Sequence, residues 1–297
     1  MSTVLVTGGT GTTGSRVARG VTEAGVVARI ASRRAAAPGQ VHFDWADPAT
    51  HGPALSGVEA AYLVAPVGVV DPAPLVQPFL RAAAAAGVRR LVLLSSSAVE
   101  ESERPGLGDL HRRVRASGLE WAVLRPSWFM QNFTGQHAAS VAAGEVVSAT
   151  GSGRIGIIDA EDIAAVAVRA LLDEEPHDTD LVLTGPQALD YAEIAAALSR
   201  ALGHQVVHRA VTPAALGRHL TSLGVPPEWA DVLAALDDDI SRGEQDFTTS
   251  TVSDVTGRPP RSFADHLAEH TRGLRSQERC RPAPTGPRGA VVAPSGP

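Results

Sequence analysis

Short apolar runs rich in β-branched residues alternate with stretches of helical spacing through the first half of the chain. The runs at 3–7, 26–31, 41–43, 60–65, 90–94 and 121–124 predict strands buried on both faces. Between them, residues 15–24 put Val17, Ala18 and Val21 on one helical face and stop at Gly25. Residues 75–86 predict an alanine-rich helix closed by Gly87, and 109–116 a helix ending near Gly118. Strands that alternate with helices argue for a parallel sheet covered on both faces. Beyond Arg125 the pattern loosens. Helices are expected at 163–172, 191–202, 213–223, 228–240 and 263–270, with short strands at 181–183 and from 206. This half reads as a small helical cap built on the sheet. Residues 273–297, rich in Arg, Pro, Gly and Ser, read as a disordered tail. The expected organisation is therefore one unit over 1–272, with a sheet core of about 1–150, and the tail.

The turn after the first strand carries Gly9-x-Gly11-x-x-Gly14, preceded by Gly8 and interleaved with Thr10, Thr12 and Thr13. Alone the pattern is weak. Here it leaves a strand and opens a helix, which is the context a dinucleotide fingerprint requires. Glycines allow the backbone to approach a pyrophosphate, and the helix N-terminus offers N–H groups and a favourable dipole. The fold class that follows is α/β, a Rossmann-type doubly wound, mainly parallel sheet. About 20 residues on, an NAD-selective site carries an acidic residue. This chain has Ser32-Arg33-Arg34 there. Two guanidinium groups suit a 2′-phosphate, so NADP(H) is the expected cofactor. A solvated arginine loop is the bland alternative. Asp44 and Trp45, after the third strand, are expected beside adenine, with a helix cap before Pro48 as the competing role of Asp44. Ala65 and Pro66 end the fourth strand, and Ser95 to Ser97 the fifth; ligands of such sheets lie outside these strand ends, so these residues are expected near the nicotinamide.

Composition narrows the chemistry. Among 297 residues there is a single cysteine, Cys280, and no lysine, all 26 basic residues being arginine. A disulfide within the chain is impossible, which fits a reducing cytoplasm, and no lysine amine is available as base or Schiff-base partner. The net charge of -6 gives no support to a nucleic-acid partner. No apolar run is long enough to cross a membrane, no leader peptide is read, and no metal site is expected. A small-molecule substrate is the expected partner, and a homodimer stays open.

Several segments together resemble a known family. They are Thr7 to Gly11, Leu63-Val64-Ala65-Pro66, Leu93 to Ser97, Ile158 to Ala164, Leu183 to Pro186 and, more specific than these, Arg125-Pro126-Ser127-Trp128-Phe129-Met130-Gln131-Asn132-Phe133. The chain resembles the NmrA-like atypical short-chain dehydrogenase/reductases over residues 3–270, most of all bacterial relatives of festuclavine and agroclavine dehydrogenases. The resemblance implies an NAD(P)H-binding fold and reduction of iminium, quinone or enone compounds. It also includes members that sense the cofactor and catalyse nothing.

Most short-chain dehydrogenases use a Tyr-x-x-x-Lys pair for proton transfer. It cannot exist here, since lysine is missing and the two tyrosines are Tyr62 and Tyr191. Acceptors that need only hydride, or that spread the resulting charge, remain open. Ser97 and His111 are the candidate proton donors; a cofactor or backbone hydrogen bond competes for Ser97 and an exposed helix face for His111. Trp128, Phe129 and Phe133 can wall a flat substrate with Asn132 as polar handle, or simply pack the core. Trp229 and His137 are weaker cap candidates. The function expected is an NADPH-dependent reductase of a small aromatic, quinone, enone or iminium-type molecule, as in secondary metabolism; an NADP(H)-sensing regulator and a non-redox isomerase or cyclase are the alternatives.

Overall fold

The computed structural model describes residues 2–135 and 137–278. Its strands are β1 (Thr3–Val6), β2 (Val27–Ser32), β3 (Gln40–His42), β4 (Ala60–Val64), β5 (Arg90–Leu94), β6 (Glu120–Pro126), β7 (Glu145–Ser148), β8 (Arg154–Ile155), β9 (Thr179–Leu183), β10 (Leu189–Asp190) and β11 (Val207–Ala210). Its helices are α1 (Gly14–Glu23), α2 (His51–Leu55), α3 (Ala73–Ala85), α4 (Leu107–Arg115), α5 (Gln131–Thr134), α6 (Ala138–Ala142), α7 (Ala160–Leu172), α8 (Tyr191–Leu202), α9 (Pro213–Ser222), α10 (Pro227–Ser241), α11 (Thr251–Thr256) and α12 (Phe263–Glu278).

Seven strands form one sheet in the order β3-β2-β1-β4-β5-β6-β9, and every pairing in it is parallel. Because successive side chains point to opposite faces, Val4, Val6, Tyr62, Val92 and Leu124 pack under α1 and α7, while Leu5, Leu63, Leu91, Leu93 and Val123 pack under α3 and α4. Both faces are covered over β1, β4, β5 and the middle of β6, which is why these stretches are largely apolar, while β2 and the edge strand β3 stay partly exposed and carry Arg29, Gln40 and His42. The chain leaves β1 for β2 on one side and returns from β3 to β4 on the other. That reversal opens a crevice at the carboxyl ends of β1 and β4.

The doubly wound sheet agrees with the sequence expectation, and the second half of the chain corrects it. That half is more than a helical cap: β9 completes the sheet beside β6, and α7 lies on α1 so closely that a Cβ on Gly20 would meet Val168 Cγ2 at 2.8 Å. The cap proper combines α8, α9, α10 and α12 with two small sheets, β7 with β11 and β8 with β10. Its core holds Phe133, Tyr191, Ile194, Leu198 and Phe263. The strands β7, β8 and β10 and the helices α2, α5, α6 and α11 escape periodicity because each spans at most six residues. The last helix runs through Gly273 to Glu278 rather than ending at His270; the rest of the expected tail, from 279, lies outside the described residues.

Candidate functional site

The turn from β1 into α1 is built around its glycines. Gly8 takes φ +61°, which an L side chain resists, and its carbonyl accepts from Gly11 N at 2.8 Å. A Cβ on Gly14 would lie 2.2 Å from Gly8 O and 2.9 Å from Gly9 Cα. The first turn of α1 therefore rests directly on the loop backbone. Thr13 is the N-cap residue, yet no side chain caps the helix, so the amino end keeps N–H groups for a ligand. Thr7 holds the crevice open from below: its Oγ1 accepts from Val64 N at 2.7 Å, and its N donates to Tyr62 O at 3.0 Å.

Above the turn lies a cleft of about 640 Å³ that brings together Gly8, Thr10, Ser32, Arg33, Arg34, Asp44, Trp45, Ala65 and Pro66. Gly11 and Thr12 sit exposed at its edge, while Thr13 and Gly14 are buried beneath it. Arg33 and Arg34 are exposed, and neither guanidinium has a hydrogen bond or ion pair to another described residue. Ser32 Oγ accepts from Arg34 N at 3.1 Å, which fixes the corner. Gln40, a lining residue not anticipated from sequence, holds the following loop by accepting from Ala36 N at 3.0 Å. Asp44 Oδ1 accepts from Ala46 N. The cap before Pro48 is Asp47, not Asp44, so the competing role of Asp44 falls away. One edge of Trp45 is packed against Phe43 and Phe79 at ring distances of 4.8 and 5.3 Å.

At the carboxyl end of β5 three serines differ in what they touch. Ser97 is buried and donates to Gln245 Oε1 at 2.7 Å. Ser96 Oγ accepts from Ala98 N at 3.2 Å. Ser95 Oγ is hydrogen-bonded to His111 Nε2. His111 corrects the sequence expectation of an exposed helix face. His111 shares the buried face of helix α4 with Leu110 and Val114 and is fully buried. Burial pushes its pKa down to about 4; the Asp180 carboxylate opposes this, and the Arg125 and Arg115 guanidiniums add to it. At neutral pH the imidazole is uncharged.

The Arg-Pro-x-Trp-Phe segment is stitched into the fold by backbone bonds. Met130 N donates to Ile158 O at 2.8 Å, Ile158 N to Trp128 O at 2.9 Å, and Ser127 Oγ donates to Gly156 O. Trp128, Phe129 and Asn132 are half-buried, and none of the three is among the residues that line the cleft. Phe133 is not a wall of the cleft: it packs edge-on to Tyr191 and Phe263 in the cap core. Its i+4 neighbour His137 and Trp229 are half-buried, and neither lines the cleft. Burial raises both tyrosine hydroxyls well above their ordinary pKa, with Tyr62 inside the sheet and Tyr191 on α8. Gln245 went unread in the sequence, because it stands 148 residues from Ser97 with no local signature. Among the described residues no helix is long and apolar enough to cross a membrane.

Comparisons with known proteins agree with this geometry. An NAD(P)H-binding family model matches residues 8–174. The oxidoreductase YesF of Bacillus subtilis is 46% identical over 272 residues, covering 90% of this chain and 94% of YesF. Agroclavine dehydrogenase of Claviceps fusiformis is 36% identical over 283 residues, covering 90% of this chain and 97% of its own length. Among solved structures, the NADPH-dependent quinone oxidoreductase QOR2 of Escherichia coli, complexed with NADPH, superposes with a TM-score of 0.78 at 26% identity over 90% of this chain and 99% of QOR2. These matches bear out the resemblance to clavine dehydrogenases drawn from the sequence. With the fold, the glycine turn and the cleft already in place, they identify the chain as a member of the NAD(P)H-binding family, an NAD(P)H-dependent oxidoreductase.

Proposed function

We propose that this protein is an NADPH-dependent reductase of a small aromatic, quinone, enone or iminium-type acceptor, working without a Tyr–Lys relay. The observation that carries the cofactor preference is the corner at the end of β2. Ser32, Arg33 and Arg34 line the same cleft as the glycine turn, with two guanidiniums that have no partner among the described residues where an NAD-selective site has a carboxylate. The cleft fits a dinucleotide: at Gly14 a single Cβ would displace the backbone that supports a pyrophosphate. Gly8, Thr10 and the amino end of α1 hold that group, Arg33 and Arg34 the 2′-phosphate, Asp44 and Trp45 flank adenine, and Ala65, Pro66 and Ser95 border the nicotinamide.

When bound, the nicotinamide supplies a hydride. The chain's part is to orient the acceptor and to handle charge. Trp128, Phe129 and Asn132 are the side chains offered to a flat acceptor. The class of acceptor follows from the absence of lysine and from two buried tyrosines. A simple ketone leaves an alkoxide that needs a strong donor close by. An iminium becomes a neutral amine on receiving hydride, and a quinone or enone delocalises the charge. QOR2 is named for quinones and the Claviceps relative for agroclavine, which agrees with this class.

Two measurements test the reading. NADPH oxidation against iminium, quinone and enone panels should find turnover in at least one; none, despite tight NADPH binding, refutes the reductase. Arg33→Asp removes a charge-assisted bond of about 1.5–3 kcal/mol, so NADPH should bind roughly 10- to 100-fold more weakly by calorimetry, with NADH little changed. Equal losses for both nucleotides would remove Arg33 from the 2′-phosphate.

A further inference from the structure

The loop of residues 33–39 joins β2 to the edge strand β3, and every residue in it is exposed. With no apolar contact to anchor it, the loop that carries Arg33 and Arg34 is held by hydrogen bonds from Gln40. Gln40 N donates to Ala37 O at 3.1 Å, and Ile30 N donates to Gly39 O at 2.8 Å, which closes the return onto β2. The Gln40 side chain then reaches back into the loop. Its Oε1 accepts from Ala36 N at 3.0 Å and from Ala37 N at 3.3 Å. Two N–H donors require an acceptor, so this arm of the carboxamide is its oxygen and the other arm is the NH2 group, with two hydrogens to give. Those hydrogens meet no acceptor among the described residues. Gln40 is half-buried and lines the cleft together with Ser32, Arg33 and Arg34. A loop clamp uses the oxygen of this side chain and leaves its donor arm for a ligand.

We propose that Gln40 is a third ligand of the cofactor's 2′-phosphate, an uncharged donor beside Arg33 and Arg34 that sets the preference for NADP(H). This rests on the cofactor reading above. A phosphate monoester presents three terminal oxygens, and a planar guanidinium engages two acceptors in one plane. A donor from a different strand can meet an oxygen outside that plane. The three side chains also differ in what binding costs them. Arg33 and Arg34 are exposed, and ordering their long stems on a ligand costs rotamer entropy. Gln40 stands on a strand paired with β2 through Ile30, and its oxygen is already fixed by the loop. Its donor arm is therefore pre-organised. The same carboxamide ties the phosphate to the loop that carries the arginines, so one residue shapes the subsite and fills part of it.

Gln40→Glu separates the two arms. The carboxylate still accepts from Ala36 N and Ala37 N, so the loop and the thermal melt should be kept, while the donor is lost. Loss of one hydrogen bond to a charged group should weaken NADPH binding by about 10- to 100-fold in calorimetry, with NADH close to its unsubstituted affinity. Gln40→Leu brings no new charge and should weaken NADPH binding in the same selective way, now with a lower melting temperature because the clamp is gone too. A second measurement needs no affinity. In nitrogen NMR of the unsubstituted protein, the Gln40 side-chain NH2 resonance, assigned by its disappearance in Gln40→Glu, should shift with adenosine 2′,5′-bisphosphate and stay in place with 5′-AMP. Equal losses of NADPH and NADH in Gln40→Glu would put the donor on adenine or ribose. Unchanged NADPH affinity, or an NH2 resonance blind to the 2′-phosphate, would leave Gln40 a loop clamp only. Each of these results overturns the proposal while the NADPH preference of the unsubstituted protein stands. If the unsubstituted protein binds NADPH no better than NADH, the cofactor reading fails and the role of Gln40 with it.

Discussion

Replacing Gly14 by alanine tests the cofactor turn most directly. The new Cβ would sit 2.2 Å from Gly8 O, 2.7 Å from Gly8 C and 2.9 Å from Gly9 Cα. Ordinary carbon contacts lie near 3.5–4.0 Å, so α1 or the loop must retreat by roughly 1 Å. All three obstacles are backbone atoms, and no rotamer change relieves them. Overpacking of this kind costs about 1–3 kcal/mol, partly offset by the roughly 0.5–1 kcal/mol that alanine gains over glycine in a helix. The net cost of up to about 2.5 kcal/mol should lower the melting temperature of a chain of this size by up to about 4 °C. The loss in binding should exceed the loss in stability, because the retreat moves the N–H groups that meet the pyrophosphate. Forfeiting one or two charge-assisted bonds at about 1.5–3 kcal/mol each weakens NADPH binding by at least about tenfold. Gly11→Ala is the internal comparison, since its Cβ meets only Gly8 O at 3.2 Å. Calorimetry with NADPH and thermal melts on both variants decide the matter. Wild-type affinity in Gly14→Ala, or equal losses in the two variants, would show that close approach at Gly14 is not what forms the site.

Two further outcomes follow from buried groups outside the cleft. Burial pushes Asp237 up to about 6, although its carboxylate accepts from Ala149 N at 2.8 Å. Its folded pKa lies above the unfolded value near 3.8, so the folded state holds the proton more tightly. That stabilisation is present in acid and is lost as pH rises from about 4 through 6, which leaves a cost of up to about 3 kcal/mol at pH 7. Asp237→Asn keeps an acceptor and should therefore stabilise the protein at pH 7.5 and not at pH 4.5 in urea melts; equal effects at the two values contradict the assignment. Phe133→Ala should cost about 3–5 kcal/mol in the same assay while NADPH affinity is retained, since the ring packs the cap core. A lost cofactor affinity without lost stability would return Phe133 to the cleft.

Local sequence carried a good deal of this protein. Alternating apolar runs and helical spacings placed the parallel strands within one or two residues, and Gly8 to Gly14 marked the crevice because a strand, a tight turn and a helix start are all short-range features. Arg33 and Arg34 were legible for the same reason: they end a strand whose place beside β1 the fold class dictates. Tertiary structure decided the rest. His111 turned out buried because its face of α4, shared with Leu110 and Val114, packs against the sheet, where it meets Ser95, 16 residues away. Ser97 found Gln245 across 148 residues, and β9 joined β6 across more than fifty. Phe133 joined the cap core through partners on α8 and α12. Periodicities of two and 3.6 residues report which face of an element is apolar. They carry no information about which distant segment will cover that face, and it is that covering which sets a side chain's exposure, its hydrogen-bond partner and its charge.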